Sequence, residues 1–458
     1  MARLLRWCLW AVACLLLAAS VLWSVSRLYG ATDEQEAALE TMRLPWKPDG
    51  RNAFVEIWLL PYDVPEAERA AITAADMRQM AALPSFAETT KKDSAPDSGF
   101  PSRAEGRHVS LSPSDTDQEL LCKTREPGCL QRVRTDLPAY TALLARNQRL
   151  FDRIAALSGY DHYRDLLPPR IDVAFPQFQL GNASLTQHAY AFARGDTEVA
   201  LEGVCRDLST WRRLGANSNS LIMRMIGIAY STDGHGRLLA EMIAELPPDH
   251  ALPETCARAT APATAAELWM CETMRGEFAF SSHAASTLSG AGQHARDPFE
   301  RATLFLTFDA DMTIADMAQH FAPICAQREL ERVAADRHAI ESRHPDGWLR
   351  LECAGNMAGC ILADIAGPAY DSYLHRAQDQ GARLKLLGTL LWLRDHTEDR
   401  RPLTARIADR PKHLKSPTRD IEIGREGSSL RIRQFDAARG EFWEIPLPAY
   451  LSEDPAGG

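Results

Sequence analysis

The sequence predicts a mainly α-helical protein. It has a single N-terminal transmembrane helix, a multi-helix extracytoplasmic domain of antiparallel helix pairs, and a small antiparallel β element at the C-terminus. Three observations predict this. An uncharged apolar run opens the chain, and apolar residues then recur at three- and four-residue spacing. That spacing gives way to alternation only after residue 396.

No charged residue occurs from Trp7 to Val25. At 1.5 Å per residue this run covers roughly 28 Å, about the hydrocarbon thickness of a bilayer. The membrane segment is placed at residues 7–28, with 1–6 before it. Arg3 and Arg6 precede the run, whereas Asp33, Glu34 and Glu36 follow closely on Arg27. The excess of positive charge before the helix keeps the N-terminus cytoplasmic and sends the remainder across. The Ala- and Arg-rich composition suggests a GC-rich bacterium, which makes the expected location the inner membrane with the bulk of the chain periplasmic. A cleaved signal peptide is the competing reading, with Ala18–Ser20 as a small-residue cleavage site. The apolar run continues through Val21, Leu22 and Trp23, which favours an anchor.

The chain has 458 residues, 45% of them hydrophobic and 24% charged, enough core for one large domain or two medium ones. The formal charge is -10. The first thirty residues carry three arginines and no acid, so the exported part is more acidic still. Such a surface argues against nucleic acid as a partner and against adhesion to anionic lipid.

Of ten cysteines, Cys8 and Cys14 lie in the apolar run and eight come after it. An oxidising compartment lets an even number pair. Cys122 and Cys129 bracket "CKTREPGC", and Cys353 and Cys360 bracket "CAGNMAGC". Six intervening residues exceed the usual zinc-knuckle spacing, while Pro127, Gly128, Gly355, Asn356 and Gly359 suit a returning turn. Both pairs are expected to be local disulfides. Cys256 with Cys271 is the next expected pair, and Cys205 and Cys325 remain unassigned. No Cys-x-x-Cys redox motif occurs.

Residues 29–48 read as a polar juxtamembrane connection and 49–83 as a helical segment. In the latter, buried "NAFVEIWLLPYDV" precedes a helix with Pro65 in its first turn. Residues 84–116, rich in Ser, Pro, Asp and Lys, read as a mobile low-complexity loop. The disulfide-stapled helical domain is expected over 117–396. Asp136 caps a helix with Pro138 in its first turn and Tyr140, Leu143, Leu144, Leu150, Phe151 and Ile154 on one face. A second helix runs from Asp196 as cap to Gly215 as stop. "NSLIMRMIGIAY" continues the pattern, and Gly234 and Gly236 are expected to interrupt it before "RLLAEMIAELPP". Long helices are then expected around "AAELWMCETMRGEFAF" and "ADMAQHFAPICAQRELERVAADRHAIESR", with a loop from Ala284 to Arg301 between them. "ILADIAGPAYDSYLHRAQ" and "ARLKLLGTLLWLRDH" make a final pair. Residues 397–458, punctuated by Gly424, Gly427 and Gly440, form the β-rich C-terminal element and tail.

No Gly-rich phosphate loop, nucleophile elbow or His-Glu-x-x-His motif occurs. Glu267, Glu272 and Glu277 lie among Trp269, Met270 and Phe278, and an apolar setting suits a carboxylic acid to general acid work. His283, after Ser281 and Ser282, is the candidate base. Glu277, Glu272 and His283 are thus the candidate catalytic residues, although five-residue steps turn the acids in different directions on a helix. Asp309, Asp311, Asp316 and His320 form an acid-rich segment, in which Asp316 and His320 share a face suited to a metal. Acids favoured by a helix N-terminus account for the segment equally well, and neither a metal nor a cofactor is expected. His235, between two glycines, belongs to thirteen scattered histidines.

The stretches "CAGNMAGCILADIAGPAYDSY", "CKTREPGCLQRVR" and "GRNAFVEIWLLPYDVPEAERAA" resemble a group of proteobacterial envelope proteins, membrane-anchored or exported and without an assigned activity. The resemblance covers most of residues 49–375 and implies a helical periplasmic domain and no catalytic residue. The expected function is a membrane-tethered scaffold or partner-binding protein, attached through residues 7–28 and facing an envelope protein. A periplasmic hydrolase using carboxylates near Glu277 is the alternative, and an acidic immunity-type protein that neutralises an envelope toxin is a further one. A cleft gathering Glu277 with a second acid would favour the hydrolase; a smooth groove without clustered ionisable groups would favour binding.

Overall fold

The computed structural model describes residues 2–83, 100–170, 173–294, 297–339 and 350–452. Helix α1 (Ala2–Tyr29) is long and apolar, and none of its most apolar stretch is buried against the body. Its length and composition would suit a membrane anchor or a signal sequence. Cys8 and Cys14 lie on it as free, exposed thiols.

The body begins with α2 (Asp33–Met42), which starts in a capping box between Thr32 and Gln35. Next come α3 (Phe54–Trp58) and α4 (Glu66–Ala81), with Pro65 at the cap of α4. Residues 84–99 of the expected mobile loop lie outside the described residues. The remainder of that span is pinned to the body: buried Asp76 accepts from the Ser102 hydroxyl and the Arg103 amide, and Leu111 N donates to Pro61 O at 2.7 Å.

Two short helices, α5 (Asp115–Leu120) and α6 (Cys129–Thr135), lead to α7 (Leu137–Ala156). Asp136 caps α7 by accepting from Ala139 N, with Pro138 in its first turn, as the sequence predicts. The six apolar residues read as one face are buried. Helices α8 (Ser184–Ala193) and α9 (Thr197–Ala216) come next. Gly215 does not end α9. It lets α9 meet α10 (Leu221–Ile228) backbone to backbone, because a Cβ on Gly227 would stand 2.5 Å from the Gly215 Cα.

Gly234 and Gly236 do not interrupt the helical run. Residues Ala229–Gly236 form a π-helical segment that continues α10 into α11 (Arg237–Glu245). The wider turn carries the glycines within the helix and packs Gly236 against Leu387, 2.9 Å from its would-be Cβ.

After α12 (Glu254–Thr260) and α13 (Ala265–Leu268), α14 runs from Cys271 to His294. Next is α15 (Pro298–Thr307), capped by Asp297, so most of the expected loop at 284–301 is helical. The single long helix expected over the 315–343 stretch is broken: α16 (Ala310–Phe321) ends in a 3-10 turn at Pro323, which has no N–H to continue the ladder, before α17 (Gln327–Ala334). Its expected end, from 340 on, lies outside the described residues. The final pair divides at Tyr370, not near Gly381: α18 is Met357–Ala369 and α19 is Asp371–Asp395. Gly381 stays inside α19 because Leu268 occupies its Cβ space, 2.6 Å away.

The C-terminal element contains α20 (Leu403–Asp409) and a three-stranded antiparallel sheet of β1 (Ile421–Ile423), β2 (Ser429–Arg433) and β3 (Phe442–Pro446). Leu430 pairs with Ile445 and Ile432 with Trp443, and these four bury one face of the sheet against α11 and α19. Fully buried Asp379 on α19 fixes the docking by accepting from Phe435 N, Asp436 N and Arg419.

Four disulfides tie these elements together. Cys122–Cys129 and Cys353–Cys360 close the two seven-residue steps read from the sequence. The expected Cys256–Cys271 pair does not form. Cys256 on α12 joins Cys205 on α9, and Cys271 at the start of α14 joins Cys325 in the turn after α16. Cys271 is closer to Cys256 along the chain than Cys205 is, but α12 buries against α9 and α14 against α16.

Non-reducing peptide mapping should recover 205–256 and 271–325 linkages and no 256–271 linkage. Loop-closure entropy assigns each long loop about 4 kcal/mol and each short one about 2–3 kcal/mol. Replacing Cys271 and Cys325 by Ala should therefore lower stability more than replacing Cys122 and Cys129, as read by denaturant midpoints.

Candidate functional site

Helix α14 crosses the loop 217–220 between α9 and α10 at very short range. A Cβ on Gly276 would lie 1.8 Å from the Asn219 carbonyl oxygen, so only glycine fits. One turn earlier, the Thr273 hydroxyl donates to Ser218 O at 2.9 Å. The Asn219 side chain in turn accepts from Asp165 N at 2.8 Å. This chain of contacts brings Asp165 and Glu277, the neighbour of Gly276, onto one cleft of about 360 Å³. Its walls are largely apolar, including Leu167, Pro168, Phe175, Ile222 and Phe280.

Both acids are half-buried, and burial pushes both carboxyls above the usual range. The Tyr370 hydroxyl donates to Glu277 at 2.9 Å and partly opposes that rise. Backbone N–H groups of Leu167 and Leu166 and the Ser220 hydroxyl do the same for Asp165. Burial and then the facing Glu277 hold the Tyr370 phenol well above its ordinary value.

The other sequence candidates go elsewhere. Glu272 pairs with Arg275 at 2.5 Å and faces a neighbouring hollow with Trp46. Glu267 binds Arg212, which also reaches the carbonyls of Ala259 and Ala261. His283 is exposed on α14, six positions past Glu277 and turned away from it, and lines neither hollow. Asp309 caps α16 and binds Arg27. Asp316 and His320 do come together, with Asp364, but the Arg350 guanidinium sits on them: it donates to both oxygens of Asp316 and lies 3.5 Å from Asp364. Asp165 and Tyr370 escape a reading of the sequence because a crossing of distant segments joins them to Glu277.

A second polar cluster is buried under the π-helical segment. His188 Nε2 lies 2.7 Å from Asp207 Oδ2, Arg206 donates to the other Asp207 oxygen at 2.8 Å, and His235 Nε2 lies 3.7 Å from Oδ2. His235 also meets the Ser184 hydroxyl at 3.3 Å and, through Nδ1, the Tyr230 carbonyl at 2.8 Å. Two imidazoles and a carboxylate are a donor set that suits a metal. The arrangement is nevertheless complete without one, since Arg206 balances Asp207 and protein groups occupy both nitrogens of His235. Burial pushes the His235 ring down to about 4. Burial alone would raise Asp207, but the charge and hydrogen bond of His188, with His235 and Arg206, hold it below the usual carboxylate range.

No protein-family model, no curated protein and no solved structure matches this chain.

Acid should destabilise the protein through His235. Its folded pKa lies below the unfolded value of about 6.5, so the unfolded chain binds the extra proton between the two. Stability then falls as pH drops from 6.5 toward 4, by on the order of 3 kcal/mol from this group. Thermal midpoints of wild type and His235→Gln across that range should show a shallower slope in the variant, and the difference isolates His235 from acids such as Glu277 that act oppositely. Gly276→Ala should lower stability by about 1–3 kcal/mol, as read by denaturant midpoint, because the new methyl cannot share space with the Asn219 carbonyl.

Proposed function

We infer that this chain is a membrane-tethered binding protein of an oxidising, extracytoplasmic compartment, with the cleft between Asp165 and Glu277 as its working surface. The observation that carries this reading is an open, largely apolar cleft whose lining includes two carboxyl groups, Asp165 and Glu277. Such a cleft suits a partner segment that presents an apolar side chain flanked by hydrogen-bond donors. Eight cysteines paired in disulfides support the compartment. The apolar helix α1 supports the tether, and in a bacterial envelope the location would be the periplasmic face of the inner membrane.

The pairing of two raised acids in one cleft favours a second reading, an acid–base hydrolase in which Glu277 supplies the proton. The cleft meets the criterion set above for a hydrolase, a second acid beside Glu277; binding is preferred all the same because both carboxyls already accept from donors within the fold, Tyr370 on one side and Ser220 with Leu167 N on the other.

A photo-crosslinking amino acid at Ile222, on the cleft rim, should yield a discrete adduct in intact cells. The Asp165→Asn, Glu277→Gln double variant should lose most of that adduct with a thermal midpoint no lower than that of the wild type, since burial opposes both charges. An adduct indifferent to both substitutions would remove the cleft from the function. Turnover of a cell-wall or peptide substrate that Glu277→Gln abolishes while binding persists would assign the hydrolase instead.

A further inference from the structure

Helix α1 is bolted to the body, not strung from it. Arg27 donates to Gly355 O at 2.9 Å, to Phe305 O at 2.8 Å, to Phe308 O at 2.9 Å and to Asp309 at 2.6 Å. Fully buried Ser26 donates to Glu352 O, just before the turn that Cys353–Cys360 closes, and accepts from Gly355 N within it. One turn back, Trp23 donates from its indole to Leu306 O at 2.8 Å and packs its ring 5.7 Å from Phe305.

That contact fixes a depth. Trp23 lies near the outer end of the apolar run, where indole rings settle among lipid headgroups. Phe305 and Leu306, touching it, lie at the same level. The elements joined to this contact leave apolar side chains uncovered. Helix α15 buries none of its residues, and Phe299 and Phe305 are 78% and 65% exposed. Helix α18 packs against α15 and turns Cys360 and Ala363 inward, while Met357, Ile361, Leu362 and Ile365 face out, Ile365 at 68% exposure. A hollow of about 700 Å³ between Arg27, Leu288, Pro298 and Phe305 opens beside α1. Among the described residues elsewhere in the body, apart from Phe175 and Ile222 in the cleft, large exposed apolar residues such as Leu44, Leu83, Val109, Leu166 and Val199 stand singly along the chain.

We propose that α15 and the outer face of α18 lie in the outer-leaflet interface of the bilayer that α1 crosses, so that lipid covers this apolar apron and the body rests on the membrane. The proposal rests on α1 being a retained anchor. Its occupant follows from continuity: the apron begins at residues in contact with Trp23, and the Arg27 clamp holds it there. An apron of phenylalanine, leucine and isoleucine needs no anionic lipid, which agrees with the acidic charge of the chain.

Depth-dependent quenching tests both levels at once. The full chain is reconstituted in phosphatidylcholine nanodiscs with an environment-sensitive fluorescent amino acid at Val12, Phe299 or Ile365, and doxyl-labelled lipids serve as quenchers. At Val12, strong quenching by a deep doxyl group is expected. At Phe299 and Ile365, blue-shifted emission and at least twofold quenching by a shallow doxyl group are expected. No quenching at Val12 would overturn the anchor itself. Quenching at Val12 without quenching at Phe299 and Ile365 would overturn the apron alone. Blue-shifted but unquenched emission at those two sites would mean that protein covers them, which overturns lipid as the occupant.

Discussion

The close approach of α9 and α10 at Gly215 and Gly227 is the constraint on which the rest of the body depends. With no side chain between them, the two backbones touch, and the short connection 217–220 is held in a single position. That connection receives Gly276 of α14 on one side and Asp165 on the other. Three hydrophobic cores meet along α10: Leu221 and Ile228 face the core built by α14 and α16, Met223 faces the one around Trp58 and Trp211, and the π-helical continuation leads into the core of α8, α9, α11 and α19. A methyl group at either glycine would separate the helices and disturb all three.

The polar interior has its own logic. The stretch "AQDQGAR" on α19 is buried despite its charges, because each is answered across a helix: Asp379 by Arg419 and two backbone amides, Arg383 by Asp233 in the π-helical segment. Such groups are costly to bury alone and tolerable only in fixed pairs, so they commit the helices and the C-terminal sheet to one register. The histidine cluster beside them belongs to the same scaffold. The clefts at the surface, where carboxyls face apolar walls and open space, differ in kind from these closed networks, which is why the working site is proposed there.

What is legible in the sequence is local. The Asp136 cap, the apolar face of the helix after it, the opening apolar helix and the two seven-residue cysteine steps all depend on residues within a few turns of one another. Periodicity also gives the alternating C-terminal strands. What is not legible depends on long-range partners. Nothing near Cys256 announces Cys205, and nothing near Glu277 announces Asp165 or Tyr370. The glycines at 234 and 236 carry the signature of a break, and a wider helical turn held between packed neighbours overrides it. Glu272 and His283 stand out for their neighbours along the chain, whereas a helix sends them in other directions.

The disulfides join neighbours in order: first cysteine of the body to second, third to fourth, fifth to sixth, seventh to eighth. No bridge encloses or crosses another. A chain that emerges N-terminus first therefore offers each thiol its correct partner before the next pair arrives. An oxidase that couples every newcomer to the most recent unpaired thiol would complete this set without reshuffling.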